Sequence, residues 1–251
     1  MSASAPDLRG RVAFVTGAAQ GLGYAIVHAY ARAGMRIAMM DVQAAALERV
    51  ADELRALGAD CLPLPVDLSD AAATQTAVER ALAQYGTPRV LVHNAALLVE
   101  RSMLEIELPD WQKEISIILQ AAFILSKAVW RGMTDARDGS IVFLSSGSGI
   151  RGFLKEVAYC PGKHGQEGLM KVLALEGEPY NIAVNSVTPG APIRTPMSDS
   201  NYPDELKQRW IDPAQLTPAF VWLAGVTAAD TTGQRLDAWA LSQPRLADDG
   251  G

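Results

Sequence analysis

Tyr159 and Lys163 stand four residues apart in the run Tyr159-Cys160-Pro161-Gly162-Lys163. On a helix that spacing puts both side chains on one face. An ammonium held beside a phenol favours the phenolate and brings a pKa of ~10 down by ~1–3. The result is a general acid or base usable near neutral pH. Pro161 is compatible with this, because proline is tolerated in a first helical turn. Upstream, Ser145-Ser146-Gly147-Ser148 supplies hydroxyls that could hold a carbonyl or alcohol oxygen beside the phenol.

A second group of residues suits phosphate. Thr16-Gly17-Ala18-Ala19-Gln20-Gly21-Leu22-Gly23 follows an apolar run and precedes a helical pattern. Gly17 and Gly21 would make a tight turn, and Gly23 would let the helix approach the strand. The helix N-terminus then offers free N–H groups and partial positive charge to a pyrophosphate. Asp41 closes the next apolar run, where a carboxylate can accept from an adenosine ribose diol and repel a 2′-phosphate. No Arg or Lys lies in residues 17–23 or 41–46, so NAD is expected over NADP.

These groups need strands that end where the chemistry sits. Residues 12–15, 36–40, 62–66, 90–92, 140–144 and 182–187 read as short buried strands, the third weakened by two prolines. Residues 22–33, 44–57, 71–85, 110–133, 158–177 and 218–223 read as helices between and after them. The alternation predicts an α/β fold: a Rossmann-like, doubly wound parallel sheet in three α/β/α layers, with ligands at the strand C-terminal ends. Residues 1–251 read as one domain, with 242–251 a loose tail.

The chain has 251 residues and a net charge of -6, from 22 Lys+Arg against 28 Asp+Glu. That balance disfavours nucleic acid and anionic membranes as partners. Cys61 and Cys160 form no disulfide framework, and His28, His93 and His164 suggest no metal site. Residues 1–6 lack the apolar segment of a secretion signal, and the stretch 115–127 is too short to cross a bilayer. A cytoplasmic setting is expected.

Taken together, the motifs resemble the short-chain dehydrogenase/reductase family over residues 8–239. Residues 16–23 resemble its T-G-x-x-x-G-x-G turn. Val66-Asp67-Leu68 is similar to the element whose acid contacts adenine, and residues 91–96, ending Asn94-Ala95-Ala96, to L-V-N-N-A-G. Ser146 lies at the family's usual 13-residue interval before Tyr159, which prefers it to Ser145 and Ser148. Pro189-Gly190 resembles the P-G after the sixth strand, and Ile193 with Thr195 the I-x-T that touches the nicotinamide amide.

The resemblance implies hydride transfer between NAD(H) and a secondary alcohol or ketone. Tyr159 would exchange the hydroxyl proton, Lys163 would lower the tyrosine pKa and hold the nicotinamide ribose, and Ser146 would orient the substrate oxygen. The implied cofactor set is Gly17, Gln20, Gly21, Leu22, Gly23, Asp41, Asp67, Leu68, Asn94, Ala95, Ala96, Tyr159, Lys163, Pro189, Gly190, Ile193 and Thr195. Residues 191–212 would cover the site, stiffened by Pro192, Pro196 and Pro203. Ile150, Phe153 and Leu154, with Arg151, Lys155 and Glu156, would surround the substrate.

Three departures stand out. Ile118 occupies the place of an asparagine that helps to hold a water chain from the lysine. His93 and Ala96 replace the usual Asn and Gly, His93 as a structural hydrogen-bonding residue and Ala96 adding a methyl near the ribose. Trp239-Ala240-Leu241 replaces a terminal D-G-G that commonly packs between subunits. The apolar faces of helix 110–133 predict a homodimer or homotetramer. The alternatives are a non-catalytic dinucleotide-binding protein and a lyase on the same fold.

Overall fold

A computed structural model describes residues 7–201 and 204–248. Residues 1–6, residues 202–203 (with Pro203 of the covering segment) and residues 249–251 lie outside the described residues. Seven strands form one parallel sheet: β1 (Val12–Thr16), β2 (Arg36–Asp41), β3 (Cys61–Pro65), β4 (Val90–His93), β5 (Gly139–Leu144), β6 (Ile182–Thr188) and β7 (Arg235–Asp237). Their order is β3-β2-β1-β4-β5-β6-β7, so the winding reverses between β1 and β4. There Thr16 pairs with His93, and the crevice above that pair is where such sheets bind ligands.

Strand residues alternate between two cores, as a pleated backbone requires. Ala13, Val15, Ile37 and Met39 pack under helices α1 (Gly21–Arg32) and α2 (Ala44–Ala56). Phe14, Ala38, Met40 and Leu91 face the other side, under α3 (Ala71–Tyr85) and the later helices. Asp70 caps α3 by accepting from the N–H groups of Ala72 and Ala73. Pro63 and Pro65 are accommodated because β3 is an edge strand, where a missing donor costs no ladder bond.

The long helix expected over 110–133 is interrupted. It runs as α4 (Leu108–Ile115), a π-helical turn (Ser116–Gln120) and α5 (Ala121–Ala136). By length and composition the whole segment could cross a membrane. Here Ala121, Ala122, Leu125, Val129 and Met133 are buried in the sheet-facing core instead. Next to it lies α6 (Tyr159–Gly177), the helix that carries the tyrosine and lysine.

Two short helices, α7 (Pro196–Asn201) and α8 (Asp204–Lys207), follow β6, and α9 (Thr217–Gly225) returns to the first core. The chain end corrects an expectation. Instead of a loose tail from residue 242, α10 (Ala238–Asp248) follows β7 directly. Asp237 Oδ1 accepts from the Ala240 N–H at its start. Ser242 is buried, donating to the Leu216 carbonyl and accepting from the Ala219 N–H, both at 3.1 Å.

Candidate functional site

A cavity of about 930 Å³ opens above the C-terminal ends of the strands. One end is the glycine turn. Gly17 has φ +65°, and a Cβ there would stand 2.7 Å from Asn94 Nδ2. Asn94 Nδ2 donates to the Thr16 and Gly17 carbonyls at 3.0 and 3.1 Å, fastening β4 to the turn. At Gly23 a Cβ would lie 1.9 Å from the Gly17 carbonyl oxygen. Only a residue without a side chain lets α1 begin there, with its N-terminus toward the cavity.

Asp41 closes β2 beside this turn. Its Oδ2 accepts from the Ala19 N–H at 3.0 Å and its Oδ1 from the Gln43 N–H at 2.9 Å. Asp67 Oδ1 accepts from the Ser69 N–H and hydroxyl at 2.9 and 2.7 Å. Those bonds, with Lys113 nearby, hold the Asp67 carboxyl below its ordinary value. Gln20, Gly21, Leu22, Leu68, Ala95, Ala96, Pro189, Gly190, Ile193 and Thr195 also line the cavity. Gly23 lies behind the wall, where its role is packing. These residues fit a dinucleotide: a glycine cradle, a helix N-terminus and two acids at successive strand ends.

At the other end stand Ser146, Tyr159 and Lys163. Tyr159 opens α6 and packs with Leu98 and Ile118, against which Ala96 also lies. The Lys163 side chain is 1% exposed, with Nζ 5.6 Å from the centre of the tyrosine ring. It donates to the Leu144 carbonyl at 2.5 Å and to Gln166 Oε1 at 3.3 Å. Burial pushes its pKa down to about 7, opposed by the charge of Glu167. Ser146 caps a short turn by accepting from the Ser148 N–H at 3.2 Å.

The neighbouring serines are differently engaged. Ser145 donates to the carboxylate of Glu167, and Ser148 is buried and absent from the cavity wall. Glu167 also accepts from Ser186 at 2.8 Å and pairs with Arg235 Nε at 3.3 Å. Arg235 donates onward to the Ser146 carbonyl at 2.8 Å. A buried acid and a guanidinium thus support the serine loop from the sheet side. Neither Glu167 nor Arg235 carries a local signal, because other charges share their elements: Lys163 and Lys171 on α6, Asp237 on β7.

His93 takes the structural role expected of it. Its Nε2 faces the Ile117 and Ile118 carbonyls at 3.0 and 3.2 Å, so that nitrogen carries the proton. Nδ1 then accepts from the Thr16 hydroxyl at 3.0 Å. Burial first, and the Lys163 charge second, push its pKa down to about 3, keeping the ring neutral.

Of the residues expected around the substrate, Ile150 and Arg151 line the cavity. Phe153 instead carries the Arg151 guanidinium at 4.9 Å from its ring centre. Leu154 and Lys155 point to solvent, and Glu156 is buried, accepting from Cys160. Met197, Ser198 and Trp210 of the covering segment, and Lys113 and Ile117 opposite, complete the wall.

A doubly wound sheet with this crevice defines a class, and comparison with known proteins makes it specific. The family described as short chain dehydrogenase matches residues 11–206. The D-threitol dehydrogenase of Mycolicibacterium smegmatis is 34% identical over 238 residues, 91% of each chain. A short-chain type dehydrogenase/reductase from Mycobacterium marinum superposes with TM-score 0.83 at 29% identity, covering 95% of this chain and 98% of its own. A blue fluorescent protein from a metagenomic library, solved with NADPH, gives 0.84 at 30% identity over 93% and 99%. The chain belongs to the short-chain dehydrogenase/reductase family and is one of its oxidoreductases.

Proposed function

We propose that the protein transfers hydride between NAD(H) and a secondary alcohol or ketone, with Tyr159 as the acid/base. The observation that carries this is the meeting, in one cavity, of Ser146, Tyr159 and a buried Lys163 with the glycine turn and Asp41. Bound there, the nicotinamide supplies the hydride acceptor or donor. The protein's own part is proton transfer and positioning. Ser146 holds the substrate oxygen, Tyr159 takes its proton in oxidation or returns one in reduction, and Lys163 places positive charge beside the phenol. Arg151 and Arg235 line the catalytic end, where among the described residues no acidic side chain does. That end favours substrates carrying a polar or anionic group. Turnover followed by NADH absorbance across alcohols, ketones and hydroxy acids tests the reading. Tight NADH binding without turnover of any of them would leave a nucleotide-binding protein.

The preference for NAD rests on Asp41. No Arg or Lys lies in residues 17–23 or 41–46 to receive a 2′-phosphate. Asp41→Asn keeps an oxygen for a backbone N–H but removes the charge. The NAD/NADP ratio of kcat/KM is expected to fall about 10–100-fold, as for loss of one charge-assisted hydrogen bond. A parent enzyme that used both cofactors equally would refute the preference.

Residues 1–251 are read as one domain working as a homodimer or homotetramer in the cytoplasm. Two helices support self-association. Phe123 on α5 and Val172 and Leu175 on α6 are 55%, 51% and 74% exposed. Charge placed there should disrupt pairing of that face. Phe123→Glu with Leu175→Glu is expected to give a monomer in analytical ultracentrifugation; an unchanged mass would place the interface elsewhere.

A further inference from the structure

Ile118 leaves Lys163 without the asparagine expected from the neighbouring helix, yet its ammonium is not short of partners. Gln166, one turn along α6, is fully buried. Its Oε1 accepts from Lys163 Nζ at 3.3 Å and its Nε2 donates to the Ile118 carbonyl at 3.2 Å. Chemistry fixes that orientation, because an ammonium only donates and a carbonyl only accepts. Apolar packing gives no reason for an amide at this position, since burying one is costly unless both ends are satisfied.

Backbone geometry supplies the second partner. The π turn breaks the regular i→i−4 ladder, and the Ile117 and Ile118 carbonyls take bonds from side chains. Close approach of α6 makes the span possible. A Cβ at Gly162 would lie 3.2 Å from Ile118, and one at Gly165 would lie 2.6 Å from Leu119.

We propose that Gln166 is the positioning residue for the site lysine, its amide bridging the Lys163 ammonium to the Ile118 carbonyl in place of a side chain from position 118. Lysine, glutamine, carbonyl, His93 and Thr16 then form one continuous buried chain beneath the tyrosine. The inference takes the role of Lys163 from the dehydrogenase reading above.

The charged and titratable groups facing Lys163 are few. Glu167 stands one turn along α6 and is tied to Arg235 of β7, while His93 of β4 is neutral. Glu167 is held by Ser145, Ser186 and Arg235 rather than by Gln166, and His93 keeps its bonds to Thr16 and Ile117 when Gln166 is replaced. Losing an acceptor disfavours the ammonium, and a weaker cation acidifies the phenol less.

The test titrates Tyr159 by phenolate absorbance, each protein being measured against its own Tyr159→Phe counterpart, so turnover is not required. In Gln166→Met the Tyr159 midpoint is expected to rise by about one pH unit. The alkaline-rising limb of kcat/KM for alcohol oxidation should move with it, and kcat at neutral pH should fall about tenfold. NADH affinity and Tm serve as folding controls. Gln166→Asn, an amide one methylene too short for the span, should shift the midpoint the same way. Ile118→Asn added to Gln166→Met should move it back. An unchanged midpoint in Gln166→Met, or in Gln166→Asn should the first variant not fold, overturns the proposal. A shifted midpoint in a protein with no turnover would uphold the bridge and sink only the dehydrogenase reading.

Discussion

Tyr159→Phe is expected to lower kcat by about 10³-fold or more while NADH affinity stays within about threefold, consistent with losing acid/base catalysis by one positioned group. The substitution is informative because it is nearly silent for packing. The tyrosine ring sits against Leu98 and Ile118 with Ala96 and Met197 alongside, and phenylalanine keeps those contacts. Nothing in the glycine turn or at Asp41 is touched. The change therefore removes a proton carrier and leaves the nucleotide seat. Stopped-flow turnover with NADH titration in parallel separates the two. A variant with parental kcat would show that the proton moves by another route. Parallel loss of turnover and NADH binding would instead make the tyrosine a cofactor-seating residue.

The nearest alternative proton carriers do not suit the task. Lys163 reaches the cavity wall but its Nζ is committed to the Leu144 carbonyl and Gln166, and His93 is committed at both nitrogens and held neutral by burial. Among the described groups at the catalytic end, the phenol combines a place on the cavity wall with a neighbouring cation. Geometry selects it before any pKa is considered.

Much of this arrangement could be read along the chain because it depends on local pattern. β1, β2, β4 and β5 are covered on both faces, so they appear as largely apolar runs, while β6 is interrupted by the buried Asn185 and Ser186. The glycines and Asp41 are legible because their roles follow from the turn between strand and helix. What could not be read depends on distant partners. β7 is only Arg235–Asp237, two charges around one leucine, and is a strand because β6 pairs with it. α10 contains a proline and no clear starting signal except Asp237, which discourages a helical reading. The π turn carries no distinctive composition. Gln166 was visible as a polar residue on a helix, but its second partner is a carbonyl 48 residues away.

Gly23→Ala is expected to lower stability and NADH affinity together. The added carbon would be placed 1.9 Å from the Gly17 carbonyl oxygen and 2.7 Å from Asn94 Nδ2. The first is backbone and cannot rotate away, so α1 must move relative to β1. Overpacking of this kind costs about 1–3 kcal/mol in stability. Binding should suffer too, because the N–H groups at the start of α1 are what a pyrophosphate meets. The same ~1–3 kcal/mol felt in that seat lowers NADH affinity by about 10–100-fold. Gly168→Ala is the control: it lies on the exposed side of α6, and its new methyl meets nothing within 4 Å. That change should stabilise by about 0.5–1 kcal/mol through helix propensity, leaving NADH binding untouched. Calorimetric titration with NADH and thermal unfolding of both variants separate a local clash from general intolerance. If Gly23→Ala bound NADH as tightly as the parent, the turn after β1 would not be where the phosphates sit, and the assignment of the cavity's two ends would have to be reversed.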